Sequence, residues 1–330
     1  MALGGRQRIV VLGGGAGGLV AATQLGKTLG RDHEVILVDR RPDHVYMPAF
    51  LFLMVGQRRP QDITRKLAHL ERRNVRVIQD EIQRIEPDQQ TVRLGRETLR
   101  YDHLVISLGL EPTPEQIPGF IEGADHAWEM DAALRLQQKL AAFAGGRVLI
   151  GVPPGPYRCP PAPYEAQYVL HDYFTQRGIR DRVEMAFFTR DPAPRGGEHE
   201  PAVWMDRQAR ALDITQHYAF GLEAIDPDRK VVRGRYGLEL PYDLLFVIPP
   251  HQPAHVLIES CIADSVTGVR VDYDTLETRW DNVYAIGDCA DMPASKAGVV
   301  AHQEAEVVAH NIAVKVTGRG QPTSLRLHTL

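Results

Sequence analysis

Cysteine is scarce: the 330-residue chain holds three, Cys159, Cys261 and Cys289. They stand too far apart for a disulfide framework or a metal cluster, so no metal is expected and each thiol must be judged by its own surroundings. Long apolar runs are also lacking. The longest, Ala49 to Val55 (AFLFLMV), falls far short of the ~20 residues a membrane-spanning helix needs. No basic stripe, basic arm or acidic tail accompanies the net charge of -4, which argues against a nucleic-acid partner. No repeat of solenoid length is present, and glycine and proline are near ordinary usage, so neither a repeat array nor disorder is implied. The N-terminus (MALGGRQRIVVLGGGAGG) enters a strand too early to hold a secretory leader, and a cytoplasmic chain is expected. What is present is a chain 44% hydrophobic and 24% charged, long enough for two domains.

Arg8 to Leu12 (RIVVL) reads as a buried strand, followed at once by GGGAGG and then LVAATQLGKTLG, whose Leu19, Ala22 and Leu25 share a helix face. Gly13, Gly15 and Gly18 fall on the G-x-G-x-x-G positions, with Ala16 and Gly17 between them. The first permits a tight turn, the second lets backbone approach a pyrophosphate, and the third lets helix and strand pack closely. The helix N-terminus then offers its free N–H groups to the phosphates. A second strand, EVILV (Glu34 to Val38), ends in Asp39, placed to accept ribose hydroxyls, and Arg40 follows it. The pattern predicts an α/β fold with a dinucleotide site, and by itself leaves FAD and NAD both open.

Two later stretches narrow the choice. Thr275 to Asp291 (TLETRWDNVYAIGDCAD) resembles the C-terminal FAD signature of flavoproteins with two dinucleotide-binding domains, which implies Gly287 and Asp288 at the ribityl and pyrophosphate part of FAD. Tyr101 to Gly109 (YDHLVISLG) resembles their middle signature, with Ser107, Leu108 and Gly109 where Ala-Thr-Gly is usual. FAD is the expected cofactor, and Ile82 is grouped with the cofactor-side positions.

Between these signatures lies a segment that an FAD fold does not need. Its first strand, Arg147 to Val152, is expected to open into a second glycine-rich nucleotide loop, and opens instead into PPGPYRCPPAPYE. Proline has no N–H and its ring fixes φ, so this run cannot cradle a phosphate, and NAD(P)H has no recognisable seat. The same prolines stiffen the loop around Cys159. A helix beginning near Pro163 or Tyr164 places that thiol just upstream of a helix N-terminus, with Arg158 beside it and Glu165 available to relay a proton. A free cysteine is more often an inert small hydrophobe; here the surroundings point to a redox role.

Cys159-Pro-Pro-Ala-Pro-Tyr-Glu165 resembles the first redox-cysteine motif of the sulfide:quinone oxidoreductases, and more closely that of the flavoprotein subunit of flavocytochrome c sulfide dehydrogenase. The resemblance extends through HVYMPAFLFLMVGQRRPQDITRKL, YDHLVISLG, His126-Ala-Trp128, YDLLFVIPPHQP and NVYAIGDCADMPASKAGVVA, essentially the whole chain. It implies two Rossmann-like domains, with an FAD domain (1–111 and 266–330) interrupted by a second domain (112–265). It also implies that Cys159 acts as a thiolate near flavin C4a and that Pro48 lies in the loop facing the flavin ring. Lys296, Ala297 and Gly298 would open the helix whose positive end faces the flavin O2 and N1 side. Glu165 and His126 or His199 become candidates for proton handling. Substrate and acceptor would be sulfide, or a related small sulfur compound, and a quinone.

The chain departs from the family in two ways. It stops at Leu330, soon after the helix GVVAHQEAEVVAHNIAVKVTG, short of the region where the family carries a second redox cysteine and its quinone-site and membrane-surface residues. Trp128 stands where some members have an additional cysteine. Cys261 and Cys289 are expected to pack rather than react. The resemblance allows a homodimer, and a peripheral inner-membrane contact through a further C-terminal segment. An NAD(P)H-dependent reductase of the type II dehydrogenase kind, or a non-catalytic flavin-binding protein, are the alternative readings.

Overall fold

The computed structural model describes residues 5–153, 155–194 and 200–327. In chain order the principal elements begin with β1 (Arg8–Leu12), α1 (Ala16–Leu29), β2 (Glu34–Asp39), β3 (Val75–Gln79) and β4 (His103–Ile106). They continue with α2 (Met130–Ala142), β5 (Gly146–Gly151), α3 (Ala162–Gln176), β6 (Val183–Phe188), α4 (Glu200–Ala211) and β7 (Ile214–His217). The last are β8 (Leu244–Val247), β9 (Val283–Ala285) and α5 (Gly298–Thr317). The chain divides into two compact units, one of Met1–Val45, Thr64–Glu111 and Gln252–Leu330, the other of Tyr46–Ile63 and Pro112–His251.

The first unit is built on a five-stranded sheet in the order β9-β4-β1-β2-β3. Every pair in it is parallel, with Ile9 opposite both Val35 and His103. Ile9, Val10, Val11 and Leu12 are all fully buried. An unbroken apolar strand without alternation is what a central parallel strand requires, because both of its faces are covered. Helices α1 and α5 pack against one another. Strand β9, some 180 residues later in sequence than β4, pairs with it through Val283 opposite Leu104, so the sheet is completed only when the chain returns.

The second unit repeats the plan with four parallel strands, β7-β6-β5-β8. Strand β5 leads through the proline loop into α3, the same strand, turn and helix order as at the N-terminus. Phe188, Phe220, Val232, Leu245 and Val247 form its core together with Leu149. The apolar run AFLFLMV belongs to this unit as a short helix, Phe50–Met54, with Phe50, Leu51, Leu53 and Met54 buried. It packs against α2, where the Gln137 side-chain amide donates to the Leu53 carbonyl at 2.6 Å. Among the described residues no helix is long and apolar enough to cross a membrane. Two parallel sheets, each entered through strand, turn and helix, are the two Rossmann-like domains expected from the sequence pattern.

Candidate functional site: a flavin cradle and a thiol loop

In the first unit the three glycines of the turn do three different things. Gly13 has φ +97°, and a Cβ there would lie 2.4 Å from the Ser107 carbonyl oxygen. A Cβ on Gly18 would lie 1.9 Å from the Gly13 carbonyl oxygen, so α1 meets β1 at a separation no side chain permits. Glycine within a helix costs about 1 kcal/mol relative to alanine, and here close packing imposes that cost. Gly15 is the opposite case: a Cβ there would meet nothing within 4 Å. It is also the N-cap of α1, and no side chain caps the helix there. An anion placed there gains the hydrogen bonds of the first-turn N–H groups and the helix dipole, the latter alone about 0.3–1 kcal/mol.

Asp39, at the end of β2, accepts the Gly14 N–H at 2.6 Å and the Arg41 N–H at 2.8 Å. A carboxylate has about four acceptor positions, so two stay available for ribose hydroxyls. His44 reaches the same loop, its Nδ1 lying 2.8 Å from the Gly14 carbonyl oxygen. Arg40 pairs with Glu111 at 3.3 Å and Glu81 at 3.8 Å. Ile82 is part of the unit's hydrophobic core.

The other two signatures converge on the same sheet. Ser107 leaves β4 with its N–H donated to the Leu12 carbonyl at 2.9 Å, and Gly109 turns with φ +67°. Gly287, at φ +73°, follows β9, and its N–H donates to a carboxylate oxygen of Glu304 at 2.5 Å. Gly287, Asp288, Lys296, Ala297 and Glu304 line one narrow pocket. The Lys296 ammonium donates to the Ala290 carbonyl. Ala297 N-caps α5 without a side-chain cap, so α5, like α1, has no capping side chain at its N-terminus. Cys289 is fully buried with its thiol 3.4 Å from the Ile286 carbonyl oxygen, and burial pushes that thiol up to about 11. It stays protonated at neutral pH.

These residues fit FAD. The open space at Gly15 suits a diphosphate, and the carboxylate of Asp39 has acceptors to spare. The α5 N-terminus offers a second site for negative charge.

The thiol lies in the second unit, on the loop between β5 and α3. Trp128 and Arg158 hold that loop from both sides: the indole Nε1–H donates to the Arg158 carbonyl at 3.1 Å, and the Arg158 guanidinium donates back to the Trp128 carbonyl. Trp128 is buried, its ring centroid 6.0 Å from that of Phe246 on β8. Farther back, the His251 N–H donates to the Pro156 carbonyl at 3.2 Å. Cys159 itself is half-buried and has φ +62°, a left-handed backbone uncommon outside glycine that costs on the order of 1–3 kcal/mol. Its carbonyl accepts the Ala162 N–H at 3.0 Å. Helix α3 begins at Ala162, one residue before the earlier of the two expected starts, because Pro161 supplies the N-cap and a proline is tolerated in a first turn.

Glu165 sits in the first turn of α3 with its side chain exposed. Enough protein still crowds the carboxyl that desolvation raises its pKa above the usual carboxylate value. His126 is buried, and burial, with the charges of Arg135 and Arg158, lowers it to about 4. It is therefore neutral at pH 7 and holds a proton poorly. Pro48 lies exposed in a short turn, Met47–Ala49, of this unit. His199 falls outside the described residues.

Three residues of interest went unread in the sequence. His44 and His251 carry no spacing signal. His251 donates Nδ1–H to the Pro249 carbonyl at 2.8 Å, while its buried Nε2 has no hydrogen-bond partner. Glu304 did have a signal: it stands on the apolar stripe of α5 between Val300 and Val308, an acid at i+4 from one and i−4 from the other.

Residues 7–151 match the family described as "Pyridine nucleotide-disulphide oxidoreductase", and residues 133–249 match "Sulfide dehydrogenase [flavocytochrome c] flavoprotein chain, central". The chain is 30% identical over 310 residues to the mitochondrial sulfide:quinone oxidoreductase of Mus musculus, covering 89% of this chain and 68% of that one. It is 29% identical over 338 residues to the sulfide-quinone reductase of Aquifex aeolicus, covering 93% of this chain and 76% of the relative. The solved structure of a sulfide:quinone oxidoreductase from Aquifex aeolicus superposes with a TM-score of 0.85 at 27% identity, over 94% of this chain and 77% of that one.

Proposed function

Because the chain belongs to the sulfide:quinone oxidoreductase family and is an FAD-dependent oxidoreductase, we propose that it oxidises sulfide at Cys159 and delivers the electrons to a quinone. The observation that carries this reading is the loop after β5. Where a second dinucleotide would need backbone N–H groups, the chain has prolines around a thiol. FAD, when bound, supplies a two-electron acceptor.

The protein's own residues do the rest. Asp39 and the α1 N-terminus hold the adenosine and diphosphate part, with Gly13, Gly15, Ala16, Gly17 and Gly18 forming the turn. Gly287 and Asp288 hold the ribityl side, and Lys296 with the α5 N-terminus stabilises negative charge. Cys159 binds the substrate sulfur: the thiolate and hydrosulfide form one S–S bond, giving a cysteine persulfide, one proton and two electrons. Glu165, its pKa raised by partial desolvation, takes the proton in preference to His126, whose burial keeps it neutral. A lipid-soluble acceptor puts the working protein at a membrane surface as a peripheral component.

Anaerobic stopped-flow spectroscopy tests the reading. Sulfide is expected to bleach the oxidised flavin band within the mixing experiment, and a soluble quinone analogue to restore it, whereas NADH leaves it unchanged. Bleaching by NADH and not by sulfide would overturn the proposal in favour of a nucleotide-dependent flavin reductase.

A further inference from the structure

We infer that Glu304 is the proton-linked group of the flavin site: binding of FAD beside Gly287 and Asp288 drives a proton onto its carboxyl. The inference rests on the assignment of the Gly287–Asp288 turn to FAD made above, and not on the sulfide chemistry.

Glu304 is 1% exposed, on the face of α5 turned to that turn. Its carboxylate takes the Gly287 N–H at 2.5 Å and shares a pocket wall with Asp288, Lys296 and Ala297. A buried carboxylate normally has a structural cation or a full set of donors. The Lys296 ammonium is instead donated to the Ala290 carbonyl. Burial is the main influence and pushes the carboxyl up to about 7; the Gly287 N–H and Lys296 oppose this, and Asp288 adds to it. Helix α1, packed along α5, has no titratable side chain before Lys27 in its last turn. On α5 itself the nearest titratable neighbours, His302 and Glu306, are exposed and face each other at 3.5 Å. Glu304 is therefore poised between its two charge states, and FAD, a dianion that excludes water from the adjoining turn, favours the neutral one.

Calorimetric titration of apoprotein with FAD at pH 7, in buffers of different ionisation enthalpy, reads the linkage directly. A one-unit rise from a starting pKa of about 7 corresponds to uptake of about 0.4 proton per FAD. Glu304→Gln keeps a carbonyl acceptor for Gly287 and is expected to bind FAD with no uptake. Equal uptake by the native protein and the variant, or none by the native protein, would overturn the inference.

A second readout needs no ligand. The folded pKa lies above the unfolded one, so the folded protein holds the extra proton, and Glu304's own contribution to native stability falls as pH rises from about 4.3 through 7. E304Q is expected to melt higher than the native apoprotein above pH 7, with the gap closing toward pH 5. A gap independent of pH counts against the inference. Asp288→Asn separates the two assignments: FAD affinity unchanged in D288N overturns the placement of FAD at this turn and the inference with it, whereas weakened binding in D288N without native proton uptake overturns the inference alone.

Discussion

Cys159→Ala is expected to slow sulfide-driven bleaching of the bound flavin by at least about 10³-fold while dithionite still reduces it. The size of the effect follows from the role proposed for the thiol: without it the proposed S–S bond has no protein sulfur to form on, and neither of the other two cysteines is a ready replacement. Cys261 is exposed just beyond the short helix His255–Glu259, and Cys289 is buried with its thiol protonated. The loop is also built to present this side chain. It is clamped by Trp128 and Arg158, tied to α3 through the Ala162 N–H, and held with a left-handed backbone at the cysteine. Strain of that kind persists where the surroundings over-determine it, and it gathers at functional positions. Cys159→Ala removes the sulfur with little change to the loop, so FAD content should match that of the native protein. Sulfide-driven reduction at the native rate in the variant would exclude the thiol mechanism and favour a flavin-binding protein without sulfur chemistry.

The second large effect separates folding from cofactor binding at two glycines of the same turn. Gly18→Ala puts a methyl group 1.9 Å from the Gly13 carbonyl oxygen. Neither backbone segment can yield without pulling α1 away from β1, and a loss of at least about 3 kcal/mol is expected. Soluble yield and apoprotein melting temperature should both fall. Gly15→Ala adds the same methyl group where nothing lies within 4 Å. Its apoprotein should melt within about 2 °C of the native value, while FAD affinity drops about 100-fold because the methyl occupies the diphosphate's place. A Gly15→Ala protein that bound FAD as tightly as the native one would mean that the diphosphate does not lie at the α1 N-terminus.

Much of the flavin cradle was legible in the sequence because it is made of consecutive residues. Gly13 to Gly18 and Asp39 sit on a strand, turn, helix and strand whose spacing alone sets where they lie. The replacement of the second nucleotide loop was legible for a related reason: proline forbids the phosphate cradle whatever surrounds it. The clamp on Cys159 was not legible. Trp128 and Arg158 are 30 residues apart, and their two reciprocal hydrogen bonds depend on how α2 and the β5–α3 loop pack. Trp128 could be seen only as a residue in another residue's usual place. His126, named in the sequence as a proton carrier, is held neutral by a burial that no local pattern reveals.

The α/β class, the glycine turn with its acidic partner, and the proline-flanked cysteine after β5 are all written locally, because each is decided by backbone rules acting within a few residues. Charge states, by contrast, are set by packing between distant segments. Glu304 reads in sequence as one acid on a helix; whether it is ionised depends on its removal from water against the Gly287 turn, which stands 17 residues away and is brought there by the pairing of β9 with β4. Desolvation is a property of the packed neighbourhood, and the packed neighbourhood exists only once the chain has returned to complete its sheet.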